Sequence, residues 1–335
     1  MKRILSLILI LSMCLGLSSC VNLKTDDTKV TTQSEASAAD TAKTETSIID
    51  TTIPEKTSAP EVTAAPPVNI SDGITLEDYP VVDGSTATIP LAIGLIRKIT
   101  GCTSVQAEES IAFNTTDASY QAMADGLSDL LLVYEPAQPT IDALDVFNKM
   151  DMREIGLDAL VFIVNEDNPV NSLTSDQVRS IYSGEITNWS EVGGDDVPIF
   201  AFQRPELSGS QTLMLNLMMK GKLMMTPTTE TISEGMADII QDISSFDNSA
   251  NAIGYSVYYY AKNMYTQPGL KFIAIDDVLP SNETINSRQY GFTNPFYGVI
   301  PLEPNPLSEA ILDWLLTKEG QQLLADCGYV PIMEM

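Results

Sequence analysis

The sequence predicts an α/β protein, a parallel sheet covered by helices on both faces, of a size suited to two lobes. Three observations predict it. A unit of apolar strand, polar turn and helix recurs along the chain. Runs such as Leu130-Leu131-Leu132-Val133 are apolar throughout, as a strand covered on both faces requires. Roughly 265 residues carry this pattern once the amino-terminal stretch is set aside, more than one small core needs.

The first unit begins at Val81-Val82, turns through Asp83-Gly84-Ser85-Thr86-Ala87-Thr88-Ile89-Pro90 and enters a helix marked by Leu91, Leu95 and Ile96. Val105 to Phe113 reads as a strand region, Asn114-Thr115-Thr116-Asp117 as a cap, and Ser119 to Gly126 as a helix stopped by glycine. The Leu130 strand ends at Tyr134-Glu135-Pro136. Ala159 to Val164 is a further apolar strand and opens a second block: a helix over Thr174 to Tyr182, then a strand over Ile199 to Phe202 that delivers Arg204. Ile253 to Ala261 reads as helical or extended, Lys271 to Ile275 as a strand, and Ser308 to Leu324 has helical periodicity. In parallel sheets ligands sit at the carboxyl ends of strands, so these loops point to one edge.

Lys2 and Arg3 precede an apolar run from Ile4 to Leu17, the pattern of a secretory signal and too short for a membrane span. Leu17-Ser18-Ser19-Cys20 resembles the lipobox of bacterial lipoproteins, which implies residues 1–20 as signal and a diacylglycerol on Cys20 holding the protein to the outer face of the cytoplasmic membrane. An ordinary cleaved signal followed by a chance cysteine is the alternative. From 21 to about 70 the chain is mostly Thr, Ser, Ala, Pro, Asp and Glu, too polar to offset the entropy of ordering, and is expected to act as a tether.

A formal charge of −27 argues against nucleic acid as partner, because the long-range field repels polyanions. A small anion in a buried site answers to local dipoles instead, since salt screens remote charges within about 10 Å. With no histidine in the chain, a Ser-His-Asp triad and the commonest zinc ligand are absent. No Cys-x-x-Cys spacing marks a metal site, and no cofactor is expected. Cys102 and Cys327 either pair in an oxidising exterior or serve as small buried hydrophobes.

Arg204 is followed by Ser208-Gly209-Ser210 and an apolar stretch from Leu213 to Met219 that reads as a helix. The first turn of a helix leaves its amides without internal partners, so a guanidinium, two hydroxyls and free N–H groups converge as a site for an oxyanion. An N-cap serine beside a surface arginine is the plainer reading of the same residues. Trp189 and the surrounding Ile181-Tyr182-Ser183-Gly184 read as a packing anchor and turn, and the methionines from Met214 to Met225 as core filler.

Three segments taken together resemble the phosphate-binding, PstS-like solute receptors of ABC importers. They are Asp83 to Pro90, Ile181-Tyr182-Ser183-Gly184-Glu185-Ile186-Thr187-Asn188-Trp189 with Gly193-Gly194, and Arg204 with Ser208-Gly209-Ser210. The resemblance runs from about Ile74 to Pro331. It implies a two-lobed periplasmic-binding-protein fold of type II, with mixed, mainly parallel sheets and the ligand cleft between the lobes, lobe 1 formed by 71–160 plus 286–335, lobe 2 by 161–285, and closure by hinge motion. It also implies ligand contacts from Thr88 and Ile89, from Thr116, and from Arg204, Ser208, Gly209 and Ser210. Where the family carries an aspartate this chain has Tyr134, with Glu135 next, so Glu135 is the expected acceptor and Asp83 and Asp117 are the substitutes.

That acid has a definite task. Monohydrogen phosphate donates a proton that sulfate lacks, and a buried carboxylate accepts from the first while repelling the second. The expected function is a lipid-anchored receptor, monomeric, that captures inorganic phosphate or a related oxyanion and delivers it to the permease of an ABC importer. The alternative is a drifted binding module acting as an anion sensor or surface interaction protein. An enzyme is not expected, because the serines lack an activating base.

Overall fold

The computed structural model describes residues 70, 73–111, 113–245 and 249–333. The expected signal, Cys20 and, apart from Ile70, the tether lie outside the described residues. Nine strands organise the rest: β1 (Val82–Gly84), β2 (Leu130–Val133), β3 (Met150–Asn165), β4 (Ser172–Leu173), β5 (Phe200–Ala201), β6 (Ala252–Val257), β7 (Leu270–Phe272), β8 (Ala274–Ile275) and β9 (Thr293–Pro301). The main sheet runs β1-β2-β9-β3-β6-β5, with β7 also on β3, and β4 pairs β8 separately.

The α/β class stands, and the sheet is mixed. Parallel pairs lie at its two flanks, β1 with β2 and β5 with β6, while β9 and β3 run antiparallel to their neighbours in the middle. Strand β3 crosses from one half to the other. Its first part, Met150 to Ala159, pairs with β9, and from Leu160 onward it pairs with β6, Leu160 facing Val257. The sequence reading began this strand at Ala159 and missed β9 altogether. Both omitted stretches interrupt their apolar runs with Asp151, Arg153, Glu154, Pro295 and Gly298, which hides the period that marks a strand.

Val105 to Phe113 was expected as strand, yet Ser104–Ser110 is helix. The reason is local: Thr103 Oγ1 accepts the Gln106 amide while the Gln106 side chain accepts the Thr103 amide, a reciprocal cap that starts a helix. The carboxyl-terminal periodicity splits into Pro306–Leu315 and Lys318–Asp326 because Thr317 caps the second segment. Ile253 to Ala261 divides in the same way, β6 giving way to helical turns at Tyr258.

Trp189 is buried and donates its indole N–H to Asn251 O at 2.9 Å. A Cβ on Gly194 would lie 2.9 Å from the Trp189 Cβ, so glycine is what lets the turn close over the ring. This motif is structural, as the sequence implied. Met214, Met218 and Met219 are buried in a π-type stretch, Met214–Met219, and fill the core. Cys102 and Cys327 are both free, and the Cys327 sulfur packs where a Cβ on Gly94 would come within 2.6 Å of it. Among the described residues no helix is long and apolar enough to cross a membrane.

Candidate functional site

The carboxyl ends of β1 and β2 are adjacent because the strands are parallel, with Gly84 level with Leu132. The loop after β1 and Tyr134 after β2 therefore share an edge. Asp83 fixes that edge. Its buried carboxylate accepts the Gly84 amide at 2.7 Å, the Asn114 amide at 2.8 Å and the Asn114 side chain at 2.6 Å, binding the turn before Ser85 to the turn before Thr116. Its acceptors are thereby in use, which leaves Asp83 a scaffold residue.

The hydroxyls of Ser85 and Thr116 meet at 2.8 Å, and the Tyr134 amide donates to Ser85 Oγ at 3.3 Å. Ser85 precedes the Thr86–Thr88 helical turn and Thr116 opens the Thr116–Ala124 helix, and neither Ser85 nor Thr115 caps its helix with a side chain. The first-turn amides thus keep their outward polarity beside two hydroxyls. Of Thr88 and Ile89, both expected at this place, Thr88 is buried and turned inward, and Ile89 is half-buried with its amide taken. Thr88 Oγ1 donates to Leu132 O at 2.6 Å and Ser85 O at 2.8 Å, its amide also goes to Ser85 O, and the Ile89 amide goes to Thr86 O. Ser85 is the hydroxyl turned toward Thr116, and sequence reasoning passed over it, although it directly follows the Asp83-Gly84 turn.

The other half of the sheet supplies β5, which leads through Gln203 to Arg204. Ser208 caps the helix that follows, its Oγ accepting the Gln211 amide at 3.3 Å, so the plainer reading of that serine holds for its side chain. Gly209 then brings the two halves together. A Cβ placed on it would lie 2.6 Å from Thr116 Oγ1 and 3.9 Å from the Tyr134 ring, so residue 209 packs against Thr116 and Tyr134.

Several buried polar atoms on the segments that meet here have no hydrogen-bond partner. They include Nε and Nη1 of Arg204 and Oγ of Ser210 on one side, and Oδ2 of Asp117 on the other. None of the ion pairs among the described residues involves Arg204, and burial pulls its guanidinium below its ordinary value, with the Tyr255, Asp238, Tyr260 and Glu234 groups opposing that shift. The Arg204 backbone is held by the Tyr255 hydroxyl, which accepts its amide at 3.0 Å and donates to the Gln211 side chain. A buried cation without a counter-ion costs several kcal/mol, so the arrangement favours an anion that completes it.

Glu135 is half-buried just past the end of β2, and its charge acts on the Tyr297 hydroxyl and, together with that of Asp117, on the Tyr120 hydroxyl. Burial raises its carboxyl above the ordinary range. Asp117 is the acid beside Thr116: its Oδ1 accepts the Ala137 amide at 3.0 Å and its Oδ2 is left over.

Profile comparison matches residues 77–319, most of the chain, to the PBP superfamily domain. The chain belongs to the PBP superfamily. Among curated relatives it is 26% identical over 267 residues to the phosphate-binding protein PstS of Bacillus subtilis, covering 76% of this chain and 81% of that protein. It is 28% identical over 182 residues to the PstS of Borreliella burgdorferi, covering 52% of this chain and 63% of the relative. Among solved structures, a Clostridium perfringens substrate-binding protein with bound phosphate superposes with TM-score 0.61 at 22% identity, over 76% of this chain and 99% of that one. An ABC-type phosphate transport receptor from Vibrio cholerae gives TM-score 0.58 at 20% identity, over 75% and 98%. At those identities the structures establish the fold of this PBP-superfamily chain. Its site residues rest on the geometry above.

Proposed function

We propose that the protein captures inorganic phosphate, or a closely related oxyanion, in the crevice between Thr116 and Gly209. The observation that carries this reading is that the segment which brings Gly209 against Thr116 also carries buried donors without partners: Arg204 Nε and Nη1 and Ser210 Oγ. Arg204 supplies the full positive charge, preferably through two parallel N–H groups. The hydroxyls of Ser85, Thr116 and Ser210 supply neutral donors, with the amides at Thr86, Gly209 and Ser210 beside them. Thr88, Ile89 and Ser208 shape the loops that present these groups. The unpaired oxygen of Asp117 takes the proton of a monohydrogen anion, the role the sequence reading gave to Glu135.

The receptor is further proposed to hang from the outer face of the cytoplasmic membrane by a lipid on Cys20 and to deliver its cargo to an ABC importer permease as a monomer, without catalysis. The support is the signal-like start of the sequence and the named functions of the curated relatives. Calorimetric titration with phosphate, arsenate, sulfate and molybdate tests the binding; a saturable heat with phosphate is expected. One observation favours the second reading, a drifted module: the Tyr134 hydroxyl that stands at the family's acid position is already given to Asp158 at 2.6 Å. Absence of heat with all four anions would select it.

A further inference from the structure

A lone acid interrupts the apolar run from Leu157 to Val164, and the anion site has no direct use for it. Asp158 is 1% exposed and sits on β3 two residues before the point where that strand leaves β9 for β6. Its Oδ1 accepts the Ala159 amide at 2.7 Å and the Tyr259 amide at 3.0 Å, and the Tyr258 amide also acts on it. Tyr259 is where the β3–β6 pairing would continue, so a side-chain carboxylate replaces the backbone ladder at the crossover. Oδ2 accepts the Tyr134 hydroxyl at 2.6 Å.

Tyr134 in turn reaches the guest site twice. Its amide donates to Ser85 Oγ at 3.3 Å, and its ring lies 3.9 Å from where a Gly209 Cβ would be. One carboxylate thus ties the wall of the crevice in the first half to the first amides after β6 in the second half. The surroundings reinforce the tie: Tyr259 and Tyr329 stack with centroids 3.6 Å apart, and the Tyr329 hydroxyl donates to Ala87 O at 2.7 Å, inside the loop that follows β1.

Resting on the anion reading, we propose that Asp158 is a positioning residue which, through the Tyr134 hydroxyl, couples closure of the crevice to the crossover of β3, and so sets how tightly the guest is held. The chemistry requires a charged acceptor. A carboxylate accepts from four donors at once, whereas its protonated or amide form must give up one acceptor position to a donor that faces other donors. The ionisable groups around it are Tyr134 from the end of β2, Tyr259 after β6, and Tyr329 and Cys327 near the carboxyl end. Strand β9 offers Asn294 opposite Asp158 and Phe296 against Tyr134, neither of them ionisable.

A double-mutant cycle on phosphate affinity tests the coupling with Tyr134→Phe, Asp158→Asn and the pair. Each single change is expected to weaken binding at least threefold, and the pair no more than the worse single, because both remove one link. Additive losses, or unchanged affinity alongside a lowered melting temperature, would overturn the proposal by making the pair merely structural. The ratio of Asp158→Asn to wild-type dissociation constants, which cancels the titration of phosphate itself, should fall toward one as pH drops from 7.5 to 5; a flat ratio overturns it too. Hydrogen exchange of the anion-free protein supplies a readout independent of the guest. Tyr134→Phe should speed exchange at the Tyr258 and Tyr259 amides at least threefold, and unchanged exchange refutes the link. Wild-type protein that takes up no phosphate sinks the anion reading, while the exchange result still decides the link.

Discussion

Gly209 and Thr116 come from opposite halves of the sheet, yet a single methyl group added to Gly209 would stand 2.6 Å from the Thr116 hydroxyl. The halves therefore meet at a point where one side is bare backbone, and backbone amides are what a small anion needs there.

Gly209→Ala should keep the fold and weaken phosphate binding at least tenfold, about 1.4 kcal/mol. The added methyl has to displace either the guest or the Thr116 side chain. Calorimetry measures the loss, and a circular dichroism melt confirms folding; wild-type affinity in a folded variant counts against the proposed crevice.

Arg204→Ala should also cost at least tenfold in affinity. Without anion, however, the variant should melt at or above the wild-type temperature, since it removes a buried charge that has no ion-pair partner. A clear drop in melting temperature would mean that the guanidinium holds the fold instead of the guest.

Asp117→Asn should relax discrimination of phosphate over sulfate, and should do so more than Glu135→Gln. The buried, unpaired carboxylate oxygen beside Thr116 belongs to Asp117, whereas Glu135 is half-buried and acts on Tyr297. Competition titrations read the ratio directly. A larger effect from Glu135→Gln would return the acceptor role to that residue.

Burial raises the Asp158 carboxyl to about 6, against an ordinary value of 3.8. A raised folded value means the native chain binds this proton more strongly than the unfolded one between those pH values. Unfolding free energy of the anion-free protein should therefore rise as pH falls from about 7 through 6 toward 4, by roughly 2 to 3 kcal/mol from this group at 1.4 per unit. Asp158→Asn should flatten that part of the profile in urea melts at stepped pH; an unchanged slope excludes Asp158 as its source.

Much of this protein was legible in its residues. The Asp83-to-Pro90 turn, the helix from Thr174 to Tyr182, the Trp189 anchor and the Arg204 segment are local signals, each written within a dozen positions and set by turn, periodicity and burial chemistry. The −27 charge and the lack of histidine narrowed the chemistry before any coordinates. What the linear pattern did not hold is everything that depends on pairing across long separations. Which of Ser85 and Thr88 faces Thr116 depends on how the loop after β1 bonds to Leu132, and Asp117 keeps one unpaired oxygen because the Ala137 amide reaches only the other. Asp158 lies just outside the strand read from Ala159, and its partners, Tyr134 and Tyr259, are 24 and 101 residues away. Local propensity and patterning act through near neighbours and fix the elements. The direction of a side chain at a junction of two half-sheets is fixed by register and packing, which exist only once the chain has closed on itself.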